Sequence, residues 1–281
     1  MTGEQFTKMI IGGIEKLTLI DFPEELAAIV FTKGCNFRCQ FCYNPMLVWP
    51  DQGLGKDKIE DHSPYSESDL FIFLKKRQGK LGGVVITGGE PTLHPDLPEF
   101  IGKIKALGFK IKLDTNGTNP EILEKLIVPL TRGIKGVSEI SKKEPPLPPL
   151  SGGRIVDYIA MDIKAPIERY EEVVGVKINK EDILRSIKLI TESGIPHEFR
   201  TTLVPGLHTK EDVAKMGEMI KSADLPAGAS AKEGKWYLQF FKSDTRLVNK
   251  EFENKERFRE KEMKEMKEIA ERYVGYVEIR G

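Results

Sequence analysis

Cysteine is scarce in this 281-residue chain: there are three, Cys35, Cys39 and Cys42, and all fall in one short stretch. An odd, clustered count excludes the disulfide framework of a small secreted domain, and grouped thiols in a reducing compartment ask for a metal. The chain also lacks an excess of either charge, with 43 basic and 43 acidic residues. No global field draws it to nucleic acid or to anionic lipid. Long apolar runs are missing as well. None approaches the roughly 20 residues of a membrane span, and residues 1–9 lack the apolar stretch and cleavage site of a secretory signal. A cytoplasmic protein with no membrane partner is therefore expected. What is present, 40% hydrophobic and 31% charged residues, is globular material able to bury a core. The length suits one large domain, two small ones or a single α/β barrel.

Apolar runs rich in β-branched residues alternate with segments of helical period, the pattern of β/α units on a mainly parallel sheet. Strands are expected at 26–32, 84–87, 110–113, 158–161, 198–203 and 236–241. Helices are expected at 68–78, 96–107, 167–174 and 180–193. Another begins at Asn119 and Pro120, a cap followed by the residue favoured in a first turn. Thr209 opens a further helix, with Asp212 in a near-capping-box position. The Pro-rich stretch within 131–154 cannot continue a helix. It reads as a surface insertion in preference to a domain linker, because strand–helix alternation resumes at once. Residues 251–273 read as one long terminal helix with Met263, Met266, Ala270 and Tyr273 as its buried stripe, and 276–279 as an edge strand. The expected division is an N-terminal extension over 1–15, a core over 16–245, and a C-terminal helix and edge strand over 246–281.

The cysteines are spaced C-x3-C-x2-C. Thiolates are soft ligands that favour iron–sulfur clusters, Cu(I) or zinc. A closed site takes four protein ligands, and this chain has no fourth cysteine. His62 leaves a Cys3His zinc site open as one alternative. Three thiolates on a 4Fe-4S cubane would leave one iron for an external ligand, which is how a metal becomes catalytic. Gly34 suits a tight turn at the strand end. Phe37, Phe41 and Tyr43 are expected to be buried, as core or as apolar shielding of a cluster.

This spacing resembles the signature of radical S-adenosylmethionine enzymes, and residues 31–45 resemble the glycyl-radical-enzyme activases. Upstream, Leu17 to Pro23 is similar to the branch of anaerobic ribonucleoside-triphosphate reductase activating proteins. The resemblance spans residues 13–247. It implies a partial (β/α)6 TIM-like barrel of the radical SAM type, with a cluster held by Cys35, Cys39 and Cys42 and S-adenosylmethionine on the open iron. It further implies that Gly88, Gly89 and Glu90 hold the methionyl amino group, and that Asp114 and Asn116 serve the ribose and nearby charge. Lys164 would lie near the methionyl carboxylate, Asp114 and Asp162 would help hold a monovalent cation, and Arg200 would line the pocket. Each segment has a plainer reading: a turn at 87–91, a turn and helix start at 113–117, an ion pair of Asp162 with Lys164 on one face of a strand, a surface position for Arg200. What argues for a site is that all of them end successive strands, the face where such barrels assemble one. His94 and His208 are left out as loop histidines.

The resemblance implies reductive cleavage of S-adenosylmethionine to a 5'-deoxyadenosyl radical that installs a glycyl radical on a partner such as anaerobic ribonucleotide reductase. A flavodoxin- or ferredoxin-type reductant would supply the electron. Two rivals stay open: a radical enzyme acting on a small molecule, and a non-catalytic iron–sulfur or zinc module. Tyr43, where related sequences often carry histidine, and the 131–154 insertion depart from the activase pattern.

Overall fold

The computed structural model describes residues 8–49, 65–127, 155–222 and 234–281. Six short apolar runs follow one another as parallel strands: β2 (Ala27–Thr32), β3 (Gly83–Gly88), β4 (Lys110–Thr115), β5 (Tyr158–Asp162), β6 (His197–Leu203) and β7 (Lys235–Phe240). Before them β1 (Ile11–Thr18) pairs antiparallel with β2, and after them β8 (Tyr276–Arg280) pairs parallel with β7. The sheet runs β1 to β8 in chain order. Among the described residues no pairing joins β1 to β8, so the barrel is partial, as expected.

Parallel neighbours need crossovers, and helices supply them. α1 (Pro45–Val48) and α2 (Glu67–Arg77) precede β3, α3 (Leu97–Ala106) precedes β4, and α4 (Pro120–Ile127) follows it. α5 (Tyr170–Val174) and α6 (Lys180–Glu192) lie between β5 and β6, α7 (Lys210–Ser222) follows β6, and α8 (Glu260–Ala270) precedes β8. Ser66 caps α2 by accepting from Asp69 N at 3.2 Å. The Thr209 and Asp212 pair forms a reciprocal start to α7: Asp212 Oδ2 accepts from Thr209 N at 2.8 Å, and Asp212 N donates back to Thr209 Oγ1 at 3.2 Å.

Strand alternation gives the sheet two different faces. Ile111, Leu113, Met161, Phe199 and Trp236 join the main core with the helices. On the other face a smaller apolar cluster, Ala27, Ile29, Val85, Tyr158 and Phe22, fills the interior of the barrel. On β4, β5 and β6 that interior face carries Lys112, Asp114, Asp162, Glu198 and Arg200 in place of apolar residues. Of these, Asp114, Asp162 and Arg200 lie toward the C-terminal strand ends, while Glu198 lies deeper and accepts from Tyr158 Oη at 3.0 Å beside the apolar cluster. On the helix side, buried Trp236 donates to Thr201 Oγ1 at 3.0 Å, and Thr201 donates to Ile163 O at 2.9 Å, so the indole N–H is satisfied.

Several expectations are corrected. β1 was not anticipated. The single helix over 251–273 is instead a 3-10 turn, Lys250–Phe252, then an irregular stretch with Asn254 at φ 61°, then α8. Left-handed backbone at Asn254 breaks the helical path. Met263, Met266 and Ala270 are buried as expected, while Tyr273 lies past the helix end. Tyr43 is 43% exposed, although Phe37 and Phe41 are buried. The 131–154 insertion and His62 lie outside the described residues.

Candidate active site

The three cysteines leave the end of β2 in a loop fastened by backbone. Gly34 turns at φ 93°. Its N–H donates to Leu47 O at 2.7 Å, and Cys35 N donates to Val48 O at 3.1 Å, tying the loop to α1. The Arg38 guanidinium donates to Cys35 O at 2.5 Å and to Phe37 O at 2.7 Å, while Arg38 N reaches Val174 O at 2.8 Å. Phe37 packs edge-on against Tyr170 with centroids 6.1 Å apart, and Phe41 against His208 at 6.2 Å. Burial pushes the Cys39 thiol up to about 12, and raises Cys35 and Cys42 as well. These thiols are poor thiolates by themselves, and a bound metal is what displaces the proton.

The end of β3 rests directly on this loop. A Cβ on Gly89 would lie 2.1 Å from Gly34 O, and one on Gly88, at φ 117°, would lie 2.4 Å from Thr32 N. Glycine is required at both places because backbone meets backbone. Gly89 N donates to Thr32 O at 2.8 Å and Glu90 N to Gly34 O at 2.7 Å. Glu90 is 1% exposed. Its Oε1 accepts from Thr92 N at 3.0 Å, Thr92 Oγ1 at 2.6 Å and Thr115 Oγ1 at 2.7 Å, and its Oε2 accepts from Asn116 N at 2.6 Å. Burial raises its pKa and these donors oppose the rise. Asn116 Nδ2 then donates to Asn36 Oδ1 at 2.9 Å, inside the cysteine loop. Glu90 therefore fastens the ends of β3 and β4 to each other, and Asn116 fastens both to the cysteines.

A row of charge continues round the strand ends. Lys112 Nζ meets Asp114 Oδ1 at 2.6 Å, and Arg200 NH1 meets Asp114 Oδ2 at 3.0 Å. Arg200 Nε meets Asp162 Oδ1 at 2.9 Å, and Lys164 Nζ meets Asp162 Oδ2 at 3.0 Å. Arg200 is a bridge between two aspartates and not a surface residue. Burial by itself would raise both carboxyl groups; Arg200 outweighs it, helped by Lys112 at Asp114 and by Lys164 at Asp162, which falls to about 2. Burial disfavours the Lys164 ammonium, yet Asp162 and then Cys39 hold its pKa above the ordinary value. Lys164 is thus close enough to the cysteines to feel them. Lys112, Arg200 and Lys164 face Asp114 and Asp162 along this row, Glu198 adds a third carboxylate acting on Arg200, and Lys164 is the cation whose charge reaches Cys39.

The structure gathers Glu90 and Asn116 in one hydrogen-bonded group and Asp114, Asp162, Lys164 and Arg200 in a second, charged one, while His62 lies outside the described residues. It also adds residues the reading missed or set aside. Thr92, Thr115, Asn36 and Lys112 lie within or beside the quoted motifs, so proximity in sequence was their available signal. Tyr170 had none. His94 and His208 were read as solvated loop residues, but both are buried, with Nε2 facing Lys33 O at 3.0 Å and Lys164 O at 2.8 Å respectively.

Residues 29–129 match the radical SAM superfamily, and the fold is shared with Streptococcus suis SuiB, solved bound to S-adenosylmethionine, which superposes with a TM-score of 0.57 at 13% identity, over 88% of this chain and 48% of that one. A protein of Methanocaldococcus jannaschii named as a candidate glycyl-radical enzyme activating enzyme is 30% identical over 279 residues, 97% of this chain and 96% of its own length. The pyruvate formate-lyase-activating enzyme of Streptococcus mutans is 26% identical over 219 residues, 76% of this chain and 72% of its own. The chain belongs to the radical SAM superfamily, and within it to the glycyl-radical-enzyme activating type.

The family implies a 4Fe-4S cluster and S-adenosylmethionine. A lone zinc ion needs its donors gathered about one point. Among the described residues no three His, Cys, Asp or Glu side chains are so placed. A cubane instead takes each thiolate on a separate iron, and three soft donors in one partly buried loop suit that demand in kind and in number. The donor set fits the cluster. Among the described residues, no helix is long and apolar enough to cross a membrane.

Proposed function

We propose that Cys35, Cys39 and Cys42 hold the 4Fe-4S cluster and that the chain installs a glycyl radical on a partner enzyme, an anaerobic ribonucleotide reductase by the similarity of Leu17 to Pro23. The observation that carries the cluster assignment is a partly buried loop offering three thiols and no fourth, with the Lys164 ammonium within electrostatic reach of Cys39. When bound, the cluster and S-adenosylmethionine supply the chemistry: one electron cleaves the S–C5' bond, giving methionine and a 5'-deoxyadenosyl radical that takes a hydrogen atom from a glycine Cα. The whole-length similarity to an activating enzyme supports the glycine as the donor.

The protein's own part is placement. Lys164, held protonated beside Cys39, faces the methionyl carboxylate. Glu90 and the backbone at Gly88 and Gly89 border the methionyl amino group, and the hydrogen bonds already made by Glu90 keep its carboxylate fixed there. Asp114 and Asn116 border the ribose, and Arg200 sets the relative positions of Asp114 and Asp162. Each oxygen of those two carboxylates already accepts from a cationic donor, so the row offers a monovalent cation no carboxylate without a partner, and none is assigned. A flavodoxin- or ferredoxin-type protein is the assigned reductant.

The test is anaerobic reconstitution with iron and sulfide, reduction, and addition of S-adenosylmethionine. The wild type should form 5'-deoxyadenosine, and serine at any one of the three cysteines should abolish it. With the partner added, a glycyl doublet should appear in electron paramagnetic resonance. An intact, reduced cluster that yields no 5'-deoxyadenosine refutes the catalytic assignment, while turnover of a free metabolite with no protein radical replaces the activase role by a small-molecule one.

A further inference from the structure

Lys164 lies two residues past the end of β5, where its backbone N–H and C=O take partners from outside the sheet. It has two. Its N–H donates to Tyr170 Oη at 3.2 Å, and Tyr170 Oη–H in turn donates to Asp162 O at 3.3 Å. Its C=O accepts from His208 Nε2 at 2.8 Å. The tautomer of His208 follows from the other nitrogen. Val204 N–H points at Nδ1 from 3.0 Å, and an amide can only donate, so Nδ1 is bare and Nε2 carries the hydrogen. Both side chains are buried, Tyr170 at 0% exposure and His208 at 3%.

The same two rings touch the cysteine loop. Tyr170 lies edge-on to Phe37, the side chain between Cys35 and Cys39, at 6.1 Å and 62°. His208 lies edge-on to Phe41, between Cys39 and Cys42, at 6.2 Å and 78°. Simple core packing would call for the ring contacts or the peptide bonds, and has no need for one pair of residues to make both.

We propose that Tyr170 and His208 are positioning residues that grip the Lys164 peptide from its two sides and index it to Phe37 and Phe41, fixing the lysine ammonium relative to the bound S-adenosylmethionine. This rests on the reading that S-adenosylmethionine binds beside the three cysteines with its carboxylate at Lys164. Neither residue touches the reacting atoms. Removing either grip leaves the ammonium charged but free to drift, and a charged contact loses strength quickly with misplacement.

Reconstituted, unreduced protein and S-adenosylmethionine itself are the materials for the test, read by equilibrium binding, iron content and thermal unfolding. Tyr170→Phe deletes one oxygen and leaves the ring on Phe37; His208→Leu deletes both nitrogens; His208→Gln retains a donor that reaches Lys164 O. Tyr170→Phe and His208→Leu should each weaken S-adenosylmethionine binding about tenfold, the usual scale for one lost buried hydrogen bond, with iron content as in the wild type. His208→Gln should recover most of the loss. In a Lys164→Met background the same changes should have little further effect, since the group they place is gone. Losses that add in full to Lys164→Met, or lost iron with unchanged affinity, would overturn the proposal in favour of plain packing. A wild type that carries its cluster but does not bind S-adenosylmethionine fails the underlying reading and the grip with it; a wild type that binds while Tyr170→Phe and His208→Leu bind equally well fails the grip alone.

Discussion

Replacing Arg200 by methionine keeps an unbranched apolar stem and removes the guanidinium that joins Asp114 to Asp162. Asp162 titrates near 2 in place of the ordinary 3.8. At about 1.4 kcal/mol per unit, this shift makes its ionised form worth roughly 2 kcal/mol of folding stability at neutral pH. The sign follows from the direction. A depressed carboxyl stabilises the fold above its ordinary value and loses that contribution as the pH falls through its folded value. Without Arg200, burial still raises both carboxyl groups, and only Lys112 and Lys164 remain to oppose it. Removing one partner of a buried ion pair generally costs about 3–5 kcal/mol; two remaining lysines place Arg200→Met at the lower end, about 3 kcal/mol. Urea unfolding of iron-free protein, followed by circular dichroism in the presence of reductant, measures it. The gap between the two proteins should be widest at pH 7, narrow as the pH falls through the variant's raised aspartate values, and close only near pH 2, where wild-type Asp162 itself protonates. A loss under about 1 kcal/mol at pH 7, within reach of an ordinary surface change, or a gap that ignores pH, would refute the account of Arg200 as a charge bridge.

Gly89→Ala should prevent the cysteine loop from seating, because its Cβ would fall 2.1 Å from Gly34 O; a cost of about 1–3 kcal/mol and at least a halving of iron bound per chain are expected, while Gly13→Ala, with nothing within 4 Å of its Cβ, serves as the control that leaves iron loading unchanged. Glu90→Gln sets an amide N–H₂ against at least one donor that the carboxylate now accepts, so a loss of about 1–3 kcal/mol in chemical unfolding is expected, and an unchanged midpoint would show that Glu90 does not fasten the strand ends.

Much of the scaffold was legible in the sequence because β/α units write themselves as alternating periods. All six core strands fall where apolar, β-branched runs stand. β1 was not legible: Gly12, Gly13, Glu15 and Lys16 interrupt any alternation, and the strand exists because β2 offers an unpaired edge, not because of its own pattern. The C-terminal helix was over-extended because Glu and Lys favour helix through 253–259, while the chain turns at Asn254. In the site, the family resemblance of motifs at successive strand ends pointed to Glu90, Asp114, Asp162 and Lys164. The pairing of Asp162 with Lys164 was legible from their i, i+2 spacing and is present at 3.0 Å, but the more distant partners were not. Arg200 reaches Asp114 across 86 positions of sequence, and His208 and Tyr170 act on the backbone of Lys164, whose needs no side-chain pattern announces.

The contact of Gly89 with Gly34 O and the ladder of charges from Lys112 to Lys164 respond to sequence change in opposite ways. Where main chain abuts main chain, no substitution adjusts the fit by degrees; it holds or it fails. Where side chains carry the geometry, a longer or shorter acid or base shifts it by fractions of an ångström. Gradual adjustment of this scaffold is therefore open on the flank formed by β4 to β6 and closed at the junction of β2 with β3.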